Sequence, residues 1–146
     1  METTRQVFEG INVVEFAAIA AGPVIGKHLA DHGARVVHVE SYERPDGFRQ
    51  NYPPYKDNKP GLNRSGAFGI CNNNKYGVTI NLKAKEGVDL AKELIQWADI
   101  VIENFTPGTL KKLGLGYEEM KEVNPNIILL STCNQGQTGP HALHPG

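Results

Sequence analysis

The stretch Ala98–Gly114, which reads ADIVIENFTPGTLKKLG, constrains the fold more than any other part of the chain. After its first alanine, Asp99–Ile102 forms a short, mostly apolar run that is rich in β-branched residues. Such a run predicts a strand that is covered on both faces of a parallel sheet. Glu103, Asn104 and Phe105 follow where this strand ends. Because ligands of open α/β sheets bind outside the carboxyl ends of the strands, these residues are the first candidates for a binding site.

The same stretch predicts how the chain leaves the strand. Thr106 is a favoured N-cap residue, and Pro107 suits the first helical position because its missing N–H has no intrahelical partner there. We therefore expect a helix over Gly108–Leu113, and we expect Gly114 to end it.

Strands and helices alternate along the rest of the chain. Further strands are predicted at Ile11–Phe16, Ala34–Glu40, Gly77–Leu82 and Ile127–Ser131. Helices are predicted from Gly22 to Gly33, at Ala84–Trp97 and at Tyr117–Val123, with one helical turn at Ala67–Cys71. This alternation predicts an α/β doubly wound domain with a mainly parallel sheet. We expect the third strand to lie nearer the sheet edge, the last strand to be buried, and Trp97 to pack in the core.

The connection after the first strand reads AAIAAGPVIG and does not contain the pattern GxGxxG. The first two glycines of that pattern allow the backbone to close on a pyrophosphate, so their absence argues against an NAD-type site. The small alanines either let the chain approach another ligand or simply allow the helix to pack on the sheet.

Two irregular segments contain candidate ligands for anions. Ser41–Gly66 is a long loop, which makes it either functional or mobile, and Arg44 and Arg49 are its best anion ligands unless they are merely solvated. Asn72–Lys75 reads NNNK, which could hold a phosphate or a carbonyl or could be an ordinary turn.

Composition narrows the class of protein. The 146 residues fit one domain, and 15 basic against 16 acidic residues give a net charge of −1, which argues against nucleic acid as the main partner. Cys71 and Cys133 have neither a CxxC nor a metal-ligand spacing, so we expect two free buried thiols and no metal site. The N-terminus lacks the features of a targeting segment, and no stretch is apolar enough to span a membrane. We therefore expect a cytoplasmic protein that does not bind membranes.

Seven motifs occur in an order and at a spacing that resemble one known family. They are GINVVEF followed by AGP, DHGARVVHVE, Asp46 spaced to Arg49, NNNK, DIVIENFTPGTLKKLGL, NPNIILLS and GQTGP. Together they resemble the N-terminal part of the family III CoA-transferases. This family includes formyl-CoA, carnitine-CoA and benzylsuccinate CoA-transferases and the 2-methylacyl-CoA racemases. The resemblance covers residues 10 to about 140.

The resemblance implies a fold, a reaction and a partner. The fold would be a truncated part of a larger CoA-transferase fold, with residues 1–146 as the N-terminal part of a Rossmann-like, CoA-binding large domain. The full-length family protein would be an interlocked homodimer. Coenzyme A would be a substrate and not a covalently bound cofactor, moving between an acyl-CoA and a free carboxylic acid. An aspartate nucleophile would carry it as an aspartyl-CoA thioester.

The family's CoA contacts can be carried over to individual residues of this chain. They fall on Ile19, Asn74, Lys75, Ile80, Asn104, Phe105 and Lys112. In this assignment the two lysines meet phosphates, Asn104 offers a donor and an acceptor, and Phe105 forms an apolar wall for adenine or pantetheine.

The chain also departs from the family pattern. Ala20 replaces a glutamine that touches the reacting carbonyl in formyl-CoA-type members, and Cys133-Asn134-Gln135 replaces the commoner Ser-Gly-aromatic triplet. The family's catalytic aspartate aligns beyond Gly146, so no catalytic residue is assigned and we expect the chain to be inactive alone. Two alternatives stay open: a 2-methylacyl-CoA racemase-type member, and a non-catalytic module that binds CoA or another nucleotide.

Overall fold

The computed structural model describes residues 5–144, which fold around one parallel β-sheet. In this range the sheet has five strands in the order β3-β2-β1-β4-β5, and every neighbouring pair is parallel. The strands are β1 Asn12–Phe16, β2 Arg35–Glu40, β3 Tyr76–Thr79, β4 Ile100–Glu103 and β5 Ile128–Ser131. The prediction of an α/β fold with a parallel sheet is therefore confirmed.

Helices connect the strands on both faces of the sheet. Within the described residues they are α1 Ala21–Asp31, α2 Gly66–Asn72, α3 Lys85–Trp97, α4 Thr109–Lys112 and α5 Tyr117–Val123. The long connection after β2 also contains two short 3₁₀ helices, at Gly47–Arg49 and Lys56–Asn58. As predicted, Gly33 lies just past the end of α1, where its φ of 106° is open to glycine at little cost.

The core has two parts, one on each face of the sheet. Val13 and Val14 are neighbours on β1, both fully buried, and they belong to different clusters because successive strand residues point to opposite faces. One cluster packs beneath α1 and includes Ala30, whereas the other includes Ile95 of α3 and Met120 of α5. Apolar residues on both faces explain why the strands read as nearly continuous hydrophobic runs.

Two burial predictions at the periphery of the sheet were wrong. Trp97 is 38% exposed, and the guanidinium of Arg35 lies 5.9 Å from the centre of its ring. Ile128 on β5 is 60% exposed because β5 is an edge strand with a neighbour on one side. The expectation that β3 lies at an edge is confirmed.

The start of α4 also differs from the prediction. Thr106 is not its N-cap, and Pro107 is not its first residue, because the helix begins at Thr109 with Gly108 as the N-cap. The N–H of Thr109 donates to the carbonyl oxygen of Thr106 at 3.1 Å, so the chain makes a turn before the helix. Gly108 has a φ of 80° in that turn, which glycine adopts without steric cost.

Both cysteines are free, but only Cys71 is buried, and Cys133 is half-buried. Within residues 5–144, no group of three or more His, Cys, Asp or Glu side chains is arranged so that it could hold a metal ion. None of the helices described is long and apolar enough to cross a bilayer.

Candidate functional site

Two adjoining cavities lie at the carboxyl edge of the sheet. The first has a volume of about 360 Å³ and lies beyond the ends of β2 and β3, so we call it the β3-side cavity. The second has a volume of about 340 Å³ and lies between the loop after β1 and the segment after β5, so we call it the β5-side cavity. Ala18 and Phe105 line both cavities, so the two cavities are neighbouring parts of one groove.

The β5-side cavity lies at the topological switch point of the sheet. β1 pairs with β2 on one side and with β4 on the other, so the connections that leave β1 and β4 diverge at this place. Ligands of open α/β sheets bind at such crevices. The lining includes Ile19, Asn104, Cys133 and His144.

The β3-side cavity combines an apolar wall with two cations and three acids, and the acids are Glu40, Glu43 and Asp46. Ile80, Phe105 and other apolar side chains line it, and the exposed side chains of Arg44 and Lys83 also border it. Neither cation forms an ion pair with an acid in residues 5–144. An apolar slot with free cations at its rim suits a flat aromatic group that carries phosphates.

Asn104 joins the end of β4 to the loop after β1. Its Oδ1 accepts a hydrogen bond from the N–H of Ala18 at 3.0 Å, and its Nδ2 donates to the carbonyl oxygen of Ala18 at 2.7 Å. Phe16 and Glu103 are paired in the register of β1 and β4, so this side chain continues the pairing just past the strand ends. The donor and acceptor of Asn104, which the resemblance assigned to CoA, therefore form hydrogen bonds with Ala18 in this structure.

Carboxylates beside the cavities are held by donors from the chain itself. Asp46 accepts from the N–H of Ile19, and Glu103 accepts from the N–H of Phe105 at 2.8 Å. Glu40 receives hydrogen bonds from the guanidinium of Arg49, the shortest at 2.6 Å. Burial alone raises the pKa of Glu40, but the hydrogen bonds from Arg49 and from the Asp46 N–H outweigh burial and lower the pKa below its usual 4.5. Arg49, a candidate anion ligand, is thus committed to Glu40.

A buried charge cluster lies between the sheet and α1. The carboxylate of Glu15 is fully buried and accepts from His38 Nδ1 at 2.6 Å and from Lys75 Nζ at 2.9 Å. The same ammonium also donates to the carbonyl oxygen of Pro23 and to the side chain of Asn72. Burial lowers the pKa of Lys75 below its usual 10.5, although Glu15 acts in the opposite direction.

The structure brings some of the predicted CoA contacts together and separates others. Ile19, Ile80, Asn104 and Phe105 all lie at the carboxyl edge, around the two cavities. Lys112 is exposed on α4, in the turn that also carries Thr109 of the β3-side cavity.

The other two predicted contacts, Asn74 and Lys75, precede β3 and therefore lie at the amino edge of the sheet. Asn74 donates to Asp31 at 2.6 Å, and the Lys75 side chain is 1% exposed. The resemblance placed all of these residues in one site, whereas the fold puts these two at the opposite edge. Their role as CoA contacts stays a prediction.

Sequence reasoning left Lys83 out of the site. Lys83 follows β3 within the INLK segment, and residues that follow a parallel strand lie at the carboxyl edge. That rule, which singled out Asn104, also identifies Lys83. Arg44 was recognised as an anion ligand but was not placed beside Ile80, because loop residues far from a strand end carry no such signal.

Comparison with known proteins identifies the family. The family model described as CoA-transferase family III matches residues 8–146. The chain belongs to CoA-transferase family III. It is 41% identical over 143 residues to the succinate–glutarate CoA-transferase of Agrobacterium fabrum. This alignment covers 97% of this chain and 36% of that protein. It is 36% identical over 138 residues to the human succinyl-CoA:glutarate CoA-transferase, which covers 94% of this chain and 30% of that protein.

A solved protein structure has the same fold. A CAIB/BAIF family protein from Brucella suis superimposes with a TM-score of 0.88 at 39% identity, over 98% of this chain and 37% of that chain. The family III chain described here therefore spans about a third of the length of the curated relatives it matches.

Proposed function

We propose that this chain forms the CoA-binding part of a CoA-transferase that moves CoA between an acyl-CoA and a free carboxylic acid. Family membership supports CoA transfer, and the relatives described above are named for transfer between succinyl-CoA and glutarate or between succinate and glutarate. The observation that carries the proposal is the groove of two adjoining cavities at the carboxyl edge, with two exposed cations, Arg44 and Lys83, at one end.

The groove suits the three chemical parts of CoA. We place the adenine in the β3-side cavity, against Ile80 and Phe105, because an aromatic base favours an apolar slot. Arg44 and Lys83 border that cavity as exposed cations and would meet the phosphates, with Lys112 of α4 as a further cation. The pantetheine arm would then run past Ala18 into the β5-side cavity, where Ile19 contributes to the wall.

The proposed chemistry proceeds by covalent catalysis. An aspartate carboxylate attacks the thioester carbonyl of the acyl-CoA, the C–S bond breaks, and CoA thiolate leaves an acyl-aspartyl anhydride. The thiolate then attacks the aspartyl carbonyl and releases the first carboxylate, which gives the aspartyl-CoA thioester. The acceptor acid reverses these steps. Each step exchanges one acyl bond for another, so no oxidant or reductant is required.

We place the nucleophilic aspartate outside residues 1–146. The support is that Asp46 accepts hydrogen bonds from the N–H groups of Ile19 and Phe48. Glu103 accepts from the N–H of Phe105 through Oε2, and the side-chain amide nitrogen of Gln137 lies 3.4 Å from its Oε1. A carboxylate held in this way is a poor nucleophile because attack would break its hydrogen bonds. We therefore propose that the chain binds CoA without catalysing transfer.

Calorimetric titration of the chain with CoA tests the binding proposal. Arg44→Ala and Lys83→Ala should each weaken CoA binding about tenfold, because each removes one charge-assisted contact to phosphate. Lys121→Ala is the matched control, since Lys121 is an exposed cation on α5 that lines neither cavity. Equal affinities for all of these proteins, or no CoA binding at all, would contradict the proposed site.

An exchange assay tests the proposal about the nucleophile. The purified chain is mixed with succinyl-CoA and labelled glutarate, and formation of labelled glutaryl-CoA is measured. We expect none with residues 1–146 alone. Turnover by this chain would place a nucleophile within it and would overturn that part of the proposal.

A further inference from the structure

The loop between β1 and α1 contains a backbone conformation that its own sequence disfavours. Ile19 has a φ of 69°, in the left-handed region. A β-branched residue is rarely found there, because its Cβ lies too close to the following carbonyl oxygen. Such a conformation persists only where surrounding groups hold it.

Asp46 supplies the hold. Both of its carboxylate oxygens lie 3.0 Å from the backbone nitrogen of Ile19, which donates its N–H to them. Oδ1 also accepts from the N–H of Phe48 at 2.8 Å, and the residue as a whole is only 3% exposed. A carboxylate that is shielded from water forms stronger hydrogen bonds to backbone donors than an exposed one does.

Asp46 is itself anchored to the end of β2. Its own N–H donates to Glu40 Oε2 at 2.9 Å, and Glu40 also accepts from Arg49. The guanidinium of Arg49 also lies 3.6 Å from the centre of the Phe68 ring, so α2 helps to hold Arg49 in place. Through these contacts the backbone position of Ile19 depends on β2 and α2 as well as on its own loop.

We propose that Asp46 is a positioning residue for CoA, acting through the backbone of Ile19. This inference rests on the proposed function. The Ile19 side chain lines the β5-side cavity, and the preceding residue, Ala18, lines both cavities. Without the carboxylate, Ile19 relaxes to a conformation that β-branched residues favour, and the wall of the groove changes shape.

The proposal predicts that removing Asp46 changes CoA affinity in the direction opposite to that expected from charge alone. Asp46 borders the β3-side cavity, so removing its negative charge would by simple electrostatics strengthen binding of an anionic ligand. We expect the reverse: Asp46→Ala should weaken CoA binding about tenfold. Asp46→Asn keeps one acceptor oxygen, so its CoA affinity should lie between those of the unaltered protein and Asp46→Ala.

A second substitution separates positioning from a general role in folding. Glycine adopts a positive φ without steric cost, so Ile19→Gly should restore most of the affinity that Asp46→Ala loses, to within about threefold of the Ile19→Gly protein alone. The matched control is Asp57→Ala. Asp57 is an acid in the same long connection, and its partner is Arg64. It should leave CoA affinity unchanged.

The conformation of Ile19 is measured directly by NMR. A backbone N–H bonded to a buried carboxylate resonates at low field, and we expect the Ile19 amide signal to move upfield in Asp46→Ala while distant amides on α5 stay in place. Should Asp46→Ala fail to fold, Asp46→Asn is measured in its place.

Two results would overturn the inference: unchanged CoA affinity in a folded Asp46→Ala protein, or an Ile19 amide that keeps its chemical shift. Failure of the Ile19→Gly substitution to restore affinity would also count against it. If the unaltered chain does not bind CoA, the proposed function fails, and the amide measurement alone then decides whether Asp46 sets the conformation of Ile19.

Discussion

The ammonium nitrogen of Lys75 lies 2.9 and 3.0 Å from the two carboxylate oxygens of Glu15, and neither side chain is more than 1% exposed. Glu15 belongs to β1, and Lys75 lies just before β3, 60 residues further along the chain. Since β2 separates these two strands in the sheet, the Lys75 side chain reaches across β2 beneath α1 to meet Glu15. The pair therefore ties the start of the edge strand to the centre of the sheet.

Removing the cation of this pair should be strongly destabilising. Lys75→Met leaves the Glu15 carboxylate buried without its ammonium partner, and loss of one member of a buried ion pair costs about 3–5 kcal/mol. Urea unfolding, followed by circular dichroism, measures the change. Lys85→Met is the control because Lys85 pairs with Asp89 on the exposed surface of α3, where an ion pair contributes little. Equal stability of the two variants would contradict a structural role for the buried pair.

The same cluster explains a close approach between α1 and β1. A Cβ added to Gly26 would lie 1.8 Å from Glu15 Oε2 and 3.3 Å from Lys75 Nζ. Gly26→Ala should therefore displace the buried carboxylate and destabilise the protein by about 3 kcal/mol, at the upper end for overpacking. Gly69→Ala on α2 is the matched control, because a Cβ there meets nothing within 4 Å. It should stabilise by about 0.5 kcal/mol, and similar changes at both glycines would exclude the steric explanation.

Much of the architecture could be predicted from local sequence pattern. The strands of the sheet are short β-branched runs, and α3 shows an apolar face on which Ala91 and Ile95 are buried. These signals are local because hydrophobic periodicity reports which face of an element is covered. The same periodicity does not report how far the cover extends. Trp97 ends α3 in sequence but lies beyond its packed part, and this is why its predicted burial was wrong.

The candidate site was harder to predict because its decisive contacts are distant in sequence. Asn104 and Ala18 are 86 residues apart, and Asp46 reaches back 27 residues to Ile19. The sequence does not indicate whether a side-chain amide or carboxylate will form hydrogen bonds to a ligand or to the protein's own backbone. The strand-end rule located the carboxyl edge correctly, but it could not show that the chain itself engages the amide of Asn104 there.

Replacing Asn104 tests whether its amide holds the loop after β1. Asn104→Ala leaves both the N–H and the carbonyl oxygen of Ala18 without these partners, which should cost about 2 kcal/mol of stability and also weaken CoA binding. Thermal unfolding and calorimetric titration with CoA measure the two effects. Asn126→Ala, at an exposed position, is the control and should change neither. Weaker binding without loss of stability would instead indicate that Asn104 contacts the ligand directly.

The pKa of Glu40 predicts how stability responds to acid. Its pKa in the folded protein lies below the usual 4.5, so the carboxylate stabilises the fold fully above pH 4.5, and this contribution is lost as the pH falls through the lowered pKa. Arg49→Met removes hydrogen bonds that lower this pKa, while burial, which raises it, remains; His38 and the Asp46 N–H are the other groups facing Glu40. The variant should therefore be less stable than the unaltered protein near pH 7, and the difference between the two should shrink as the pH falls below 4.5. Urea unfolding in steps between about pH 7 and pH 3 measures this difference, and NMR titration of the Glu40 carboxyl carbon shows whether its pKa has risen.

Arg64→Met is the control. It affects the exposed pair with Asp57 and should leave the dependence of stability on pH unchanged. A stability difference between Arg49→Met and the unaltered protein that is the same at every pH would show that Arg49 does not set the charge state of Glu40.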